Sequence, residues 1–251
     1  MNAPGGADAE EGTNPDLNPR LVDPVGPQDK DEFYHDILDG LSVFMDSTYI
    51  LDILHAVREY PILRLGHSLN LGQVTCKKWL LDTLADTGTT DLGTIYILGG
   101  WYGVLGAMFL HDPRFTIEKV VSVDIEPQCR PVAEALNRTN AENGRFESLT
   151  ADIYELDYRR LLAGTSADDS RPDLLINTSC EHLAEFDHWF NRIPPGTLMI
   201  VQSNDYFSCE EHHNCAPDLG SFKRQVPLSE PIYDGQIKLK KYTRFMLIGR
   251  R

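Results

Sequence analysis

Two groups of residues are equipped for chemistry. The first is Glu181-His182, followed downstream by Asn204-Asp205-Tyr206 and Glu210-Glu211-His212-His213-Asn214-Cys215. An imidazole or carboxylate there can take a proton from a nucleophile, and carboxylates can grip a guanidinium bidentately. Cys209, His212, His213 and Cys215 invite a zinc reading. Their spacing lacks a paired CxxC or a second half-site, so a substrate loop is expected rather than a metal. The second group is Gly99-Gly100-Trp101-Tyr102-Gly103 with Asp124. A glycine turn between a strand and a helix brings backbone N–H groups close to a nucleotide-like ligand. An acid about twenty residues beyond that turn can accept the hydroxyl protons of a ribose.

These residues need a frame to bring them together. Thr94 to Leu98 is a short apolar run rich in β-branched residues, which reads as a buried parallel strand, and helical spacing resumes from Val104 to Leu110. Further strands are expected at Glu118–Val123, Phe146–Thr150, Asp173–Thr178 and Thr197–Gln202. Polar residues follow four consecutive strands, at the carboxyl edge where open α/β sheets bind ligands. Helices are expected at Pro127–Asn143 and Leu183–Ile193, a helix plus an Asp-rich surface loop over 154–172, and two closing strands at Gln236–Lys240 and Tyr242–Gly249. Ahead of the sheet, Phe33, Ile37, Leu38, Leu41 and Phe44 form an amphipathic stripe. Tyr49–Arg58 and Gly72–Asp86 supply two more helices, expected to lie over the ligand edge.

The stretch from about Thr94 to Arg251 resembles the class I S-adenosylmethionine (SAM)-dependent methyltransferases. The resemblance rests on Gly99-Gly-Trp-Tyr-Gly103, Asp124, Asp152, Glu181-His-Leu183 and Pro195-Gly196. It implies a Rossmann-like α/β fold, a seven-stranded, mostly parallel sheet with helices on both faces and extra N-terminal helices. It also implies SAM as cofactor and S-adenosylhomocysteine as product. Asp124 matches the ribose acid and Asp152 the residue at the adenine amino group, with Ile125, Ile153, Asn177 and Ser179 beside them. Two positions depart from the pattern. Ile97 stands where an acid is usual, and Trp101 replaces the middle glycine. Gln73 and Lys77, at the mouth of a helix, are therefore the candidates for holding the methionine carboxylate; an N-cap and a solvated helix face explain them equally well.

Methyl transfer is an in-line displacement at a sulfonium methyl, in which alignment alone can supply several kcal/mol. Glu181 or His182 would take the proton, unless this pair is structural. Asn204, Asp205, Tyr206, Glu211, His212 and Asn214 would bind the acceptor, and the acid-rich setting favours a cationic one. Gly99-Gly-Trp-Tyr-Gly103, Ser203-Asn-Asp-Tyr-Phe207, Glu211-His-His-Asn-Cys215 and Lys241-Tyr-Thr-Arg-Phe-Met246 are further similar to a methyltransferase group with phage-encoded members. That group includes arginine N-methyltransferases of natural-product pathways, which would make the guanidino nitrogen of free L-arginine the acceptor. The competing readings are another small-molecule acceptor, a nicotinamide oxidoreductase, for which the glycine spacing is poor, and a non-catalytic binding protein.

Composition frames this reading. A 251-residue chain, 41% hydrophobic, is long enough for one sizeable core. The formal net charge of −15 argues against nucleic acid as partner, because phosphate binding needs clustered Lys and Arg. Five cysteines, an odd number, point to reduced thiols and a cytoplasmic setting. The sequence has no apolar run of membrane-spanning length and no signal-peptide pattern. Residues 1–30 read as a flexible acidic tail, 31–90 as a helical cap that would suit a homodimer, and 91–251 as the cofactor-binding domain.

Overall fold

The computed structural model describes residues 30–61, 63–162 and 174–251. The expected acidic tail, the Asp-rich loop before the fourth strand and the side chain of Phe33 lie outside these residues. Four helices precede the sheet: α1 (Lys30–Phe44), α2 (Thr48–Glu59), α3 (Leu63–Ser68) and α4 (Leu71–Asp86). Then β1 (Asp91–Leu98), α5 (Val104–Leu110), β2 (Thr116–Asp124), α6 (Cys129–Leu136), α7 (Arg138–Glu142) and β3 (Phe146–Thr150) build the first half. The second half holds α8 (Tyr158–Leu162), β4 (Leu174–Asn177), a 3-10 turn (Cys180–His182), α9 (Phe186–Arg192) and β5 (Leu198–Asn204). It closes with α10 (Leu219–Gln225), β6 (Glu230–Lys238) and β7 (Thr243–Arg250).

The seven strands run in the order β3-β2-β1-β4-β5-β7-β6. The first five are parallel, and β7 lies antiparallel between β5 and β6. The chain reverses direction across the sheet between β1 and β4, so the ends of these two strands open the crevice where ligands of such sheets bind.

Both faces of the sheet are covered, and the strand alternation divides the core. Ile95, Ile97, Ile176, Ile200 and Ile248 face the layer built by Leu80 and Leu84 of α4 and Phe109 of α5. Tyr96, Leu98, Leu175, Val201 and Phe245 face the layer with Trp189 of α9 and Phe222 of α10. Successive strand side chains point to opposite faces, which is why Ile95–Leu98 of β1 and Leu198–Val201 of β5 read as unbroken apolar runs. Because α4 shares the main core, it is fixed firmly to the sheet and carries Gln73 and Lys77 with it.

Several expectations about the elements are corrected. The single helix over Pro127–Asn143 is broken into α6 and α7. Asn137 lies between them, where its buried side-chain amide donates to the Gly103 and Ala133 carbonyls; a short amide that bonds backbone in this way competes with helix continuation. The stripe on α1 is not a core face. Ile37, Leu41 and Phe44 are all exposed, and the helix packs chiefly on α2. Helix α2 lies along α6 and α7, and its Ala56 shares a cluster with Tyr102 and Trp101 of the glycine turn; Asp52 ties it to α7, its carboxylate accepting from the Thr139 N–H and hydroxyl at 3.0 Å each. Strand β6 begins at Glu230, six residues before the expected start, with Pro231 near its beginning. A proline fits there because β6 is an edge strand. Among the described residues no helix is long and apolar enough to cross a membrane.

Candidate functional site

The glycine turn after β1 is bound to the end of β2. The Gly100 N–H donates to the Val123 carbonyl at 2.9 Å, and the Trp101 N–H donates to the Asp124 carboxylate at 2.8 Å. The other Asp124 oxygen accepts from the Glu126 N–H at 3.0 Å. A carboxylate offers about four acceptor positions, so Asp124 keeps capacity for hydroxyl donors. Burial, then the Asp124 and Glu126 charges, push the Cys129 thiol up to about 12. A Cβ at Gly100 would lie 2.0 Å from the Ser122 hydroxyl, and Gly103 combines φ of +71° with contacts that a Cβ would overrun. Trp101 itself has φ of +50°, a conformation that disfavours side chains other than glycine. Strained backbone of this kind collects at functional sites. The Trp101 ring stacks on Tyr102 at 4.9 Å.

The remaining cofactor candidates lie along the same strand-end edge. Asp152 accepts from the Tyr154 N–H at 2.8 Å, and Asn177 from the Ser179 N–H at 2.8 Å. A Cβ at Gly99 would meet Ser179 at 3.6 Å, so the turn after β4 rests against the glycine turn. Ile125 is exposed beside Asp124, whereas Tyr102 is buried in a cluster with Val104, Ala107 and Val132. The Tyr102 ring is therefore core, and only its backbone is available to a ligand. Ile153 packs partly into the core.

Across the crevice, α4 begins at Asn70, whose side chain caps the Gln73 N–H at 3.0 Å. The Gln73 side chain then accepts from Lys77 at 2.7 Å. Desolvation, followed by the nearby Arg244 charge, pushes the Lys77 amine down to about 8. Among the described residues Lys77 has no carboxylate in salt-bridge contact, which leaves its charge available to an anion.

Glu181 is placed differently from the sequence expectation. It is buried, and one carboxylate oxygen takes both the Arg244 guanidinium at 2.7 Å and the Asn204 amide at 2.6 Å. The other oxygen, Oε2, is buried without a partner. Burial alone would lower the Arg244 pKa, but Glu181 outweighs it and the guanidinium is held well above its usual range. Oε1 is thus committed to Arg244 and Asn204, and Oε2 is the oxygen left without a bond. His182 is exposed, with Nδ1 3.0 Å from the Glu211 carbonyl. His212 has Nδ1 3.0 Å from the Tyr206 carbonyl and 3.6 Å from the Cys215 sulfur; desolvation lowers its pKa.

The insert after β5 carries the residues that the sequence assigns to the acceptor. Glu210 and Glu211 are exposed, and Asp205 accepts from the Thr243 N–H at 2.7 Å. Asn204 holds Glu181 and caps the Tyr206 N–H. Asn214 donates to the Cys180 carbonyl and accepts from Gln225. These amides fasten the loop to the turn after β4, so Tyr206 and the histidines are the side chains left to meet a substrate. Tyr206 stacks against Tyr242 at 5.8 Å. Burial, then the Glu181 charge, push the Cys215 thiol up to about 11, and all five cysteines are free. Among the described residues, the side chains converging as a metal-ligating group are Glu181, His182 and His212, not the Cys-His set that the sequence raised. An open groove beside α9 and α10, near 690 Å³ and bordered by Asp187, His188 and Arg224, touches this region only at Asn214.

Arg244 and Tyr242, which the sequence offers only as part of Lys241-Tyr-Thr-Arg-Phe-Met246, received no role from sequence reasoning. The available signal was a lone arginine opening the apolar strand Phe245-Met-Leu-Ile248, because a buried guanidinium requires a partner.

No protein-family model and no curated protein sequence matches the chain. Solved structures do. A proposed sarcosine dimethylglycine methyltransferase from Galdieria sulphuraria superposes with a TM-score of 0.52 at 12% identity, over 71% of this chain and 86% of that one. The N-methyltransferase NodS from Bradyrhizobium japonicum WM9 superposes with a TM-score of 0.50 at 11% identity, over 73% and 98%. Its complex with S-adenosylhomocysteine gives the same score over 72% and 88%. The chain has the Rossmann-like fold of these methyltransferases.

Proposed function

We propose that this chain is a SAM-dependent methyltransferase of a small molecule, with a nitrogen as acceptor. The observation that carries the reading is the Asp124 carboxylate bound to the glycine turn through the Trp101 N–H. A ribose bound at this edge would donate its hydroxyl protons to Asp124, and Asp152 would face the adenine amino group. The methionine carboxylate would lie against Lys77 and Gln73, in place of the acid that Ile97 lacks. SAM supplies the electrophilic methyl. The protein's part is to align the acceptor lone pair with the C–S bond and to exclude water.

At the reacting end, Glu181 fixes the turn through Arg244 and Asn204. His182 is the member of the pair able to take a proton, because the Glu211 carbonyl engages Nδ1 and leaves the Nε2 lone pair. The specific acceptor we advance is the guanidino nitrogen of free L-arginine. The exposed Glu210 and Glu211 lend it less support than their sequence position promised. What supports it now is the Tyr206 ring, whose outer face suits a cation as the Tyr242 ring behind it already meets the Arg244 guanidinium at 5.7 Å, and the name of NodS as an N-methyltransferase. A hydroxyl or carboxylate acceptor is the second reading, favoured by the positive Lys77 and Arg244.

Thermal unfolding with SAM or with NADH tests the cofactor. Stabilisation by SAM and not by NADH is expected, and the reverse would return the nicotinamide reading. Mass spectrometry of arginine, lysine, ornithine and simple amines after incubation with SAM tests the acceptor. A methyl gain on arginine alone is expected; a gain only on a hydroxyl or carboxylate compound would overturn the nitrogen assignment.

A further inference from the structure

The turn after β4 and the insert after β5 bring together three side chains able to ligate a metal, which the fold itself does not require. Glu181, His182 and His212 each offer one ligand atom, and these atoms lie within 4.8 Å of one another. The arrangement of their other atoms is informative. Glu181 Oε1 is already taken by Arg244 and Asn204, while Oε2 is buried with no partner. Leaving a buried charged oxygen unsatisfied is costly, and such an exception asks for a missing partner.

The histidines complement it. Each has Nδ1 at 3.0 Å from a backbone carbonyl, Glu211 for His182 and Tyr206 for His212. A carbonyl only accepts, so Nδ1 carries the proton in both rings and Nε2 carries the lone pair. Histidines that ligate metals are held in this way by their second nitrogen, and ligating carboxylates are themselves hydrogen-bonded. The rings stand edge to face with centroids 4.7 Å apart.

We propose that Glu181, His182 and His212 form a site for a divalent first-row transition ion, bound through one carboxylate oxygen and two imidazole Nε2 atoms. Two histidines and a carboxylate form a donor set used by zinc and by iron(II), with coordination positions left open for water or substrate. Nitrogen ligands about 2.1 Å from zinc lie about 3.4 Å apart in a tetrahedron. Closing from 4.8 Å takes a shift of the order of 1 Å, within reach of side-chain rotation on the insert. The ion would supply the partner that Oε2 lacks and cross-link the insert to the sheet. This inference goes beyond the methyl-transfer reading and holds whatever the acceptor is. Ion and proton are alternative occupants of His182 Nε2, so an ion-loaded site would leave that proton to another group.

The test uses the full-length protein, stripped with a chelator, dialysed, and titrated with Co²⁺ by visible absorption and by calorimetry. Wild type is expected to bind about one ion per chain with the spectrum of nitrogen and oxygen ligation. His182→Ala and His212→Ala are each expected to weaken binding by about tenfold or more, with Cys209→Ser and Cys215→Ser at wild-type affinity. Absence of stoichiometric binding to wild type, or unchanged binding in both histidine variants, overturns the site. So does loss of binding in the cysteine variants, which would move the ion to the thiols. If His212→Ala does not fold, the exposed His182 decides alone. SAM-induced thermal stabilisation, read on the same metal-free samples, separates the two proposals. Stabilisation without Co²⁺ binding sinks only the metal, and Co²⁺ binding without stabilisation sinks only the cofactor reading.

Discussion

The two turns that meet at the crevice are built on opposite principles. The turn after β1 is a backbone device. Its contacts join neighbouring strands through N–H groups, at Gly100 to Val123 and Trp101 to Asp124, and glycines keep side chains out of the way. The turn after β4 is a side-chain device, in which Glu181, Asn204 and Arg244 from three separate segments meet in one buried knot. A backbone site tolerates changes of side-chain chemistry but not of volume. A side-chain knot behaves in the reverse way, because losing one charge strands another.

The largest expected effect breaks the second turn. Arg244→Met leaves Glu181 buried with its strongest partner gone, and removing one member of a buried pair costs about 3–5 kcal/mol. Denaturant unfolding should show this as a lower midpoint at constant slope. A change below about 1 kcal/mol would mean that water already reaches the pair. Replacing both partners, as Glu181→Leu with Arg244→Met, should cost less than Arg244→Met alone. On the first turn the matching experiment is Gly103→Ala. A left-handed φ costs a non-glycine residue about 1–2 kcal/mol, and here the new methyl would also press within 2.9 Å of Phe146 and 2.7 Å of Asn137. A loss of about 2–3 kcal/mol is expected, accompanied by loss of SAM protection. Full SAM protection in a folded variant would detach the glycine turn from the cofactor.

The contrast also explains what could be read in advance. The five parallel strands, the glycine turn and Asp124 are legible because each depends on neighbours close in sequence: alternation, turn chemistry, and an acid at the tip of the next strand. The knot around Glu181 is not legible, since its ion pair joins positions 63 residues apart. A carboxylate next to a histidine in the sequence does not announce the distant partner it meets. Glu210 and Glu211 pose a related difficulty: composition places acids in the loop, but their exposure depends on its ties through Asn204 and Asn214. The α6–α7 break follows from one amide bonding across to Gly103, a tertiary contact that no helical period announces.

Asp124→Asn sharpens the comparison by separating chemistry from scaffold. The amide keeps one carbonyl oxygen for the Trp101 N–H but turns its NH2 toward the Glu126 N–H that the second carboxylate oxygen now serves, so stability should fall by about 0.5–1.5 kcal/mol. Hydrogen bonds to a charged acceptor contribute about 1.5–3 kcal/mol, so SAM affinity measured by calorimetry should fall by roughly tenfold to a hundredfold. Equal SAM affinity in the variant would remove the ribose role.

The smallest effect links the two turns through Lys77, and its sign is fixed by linkage. Desolvation pushes the folded amine down to about 8 from its ordinary 10.5, so between these values the unfolded chain binds more protons than the folded one. Stability without ligand should therefore rise with pH across that window, as the cost of burying a desolvated charge is relieved. SAM affinity should run the other way. A carboxylate at Lys77 needs the ammonium, so binding should be flat below about pH 7 and weaken as pH rises through 8, by at most about tenfold per unit. Lys77→Met isolates the lysine because both slopes should flatten together in that variant. Opposite slopes in wild type that persist in Lys77→Met would assign them elsewhere, and the methionine end of SAM would then have to be held by Arg244, making the side-chain knot part of the cofactor site.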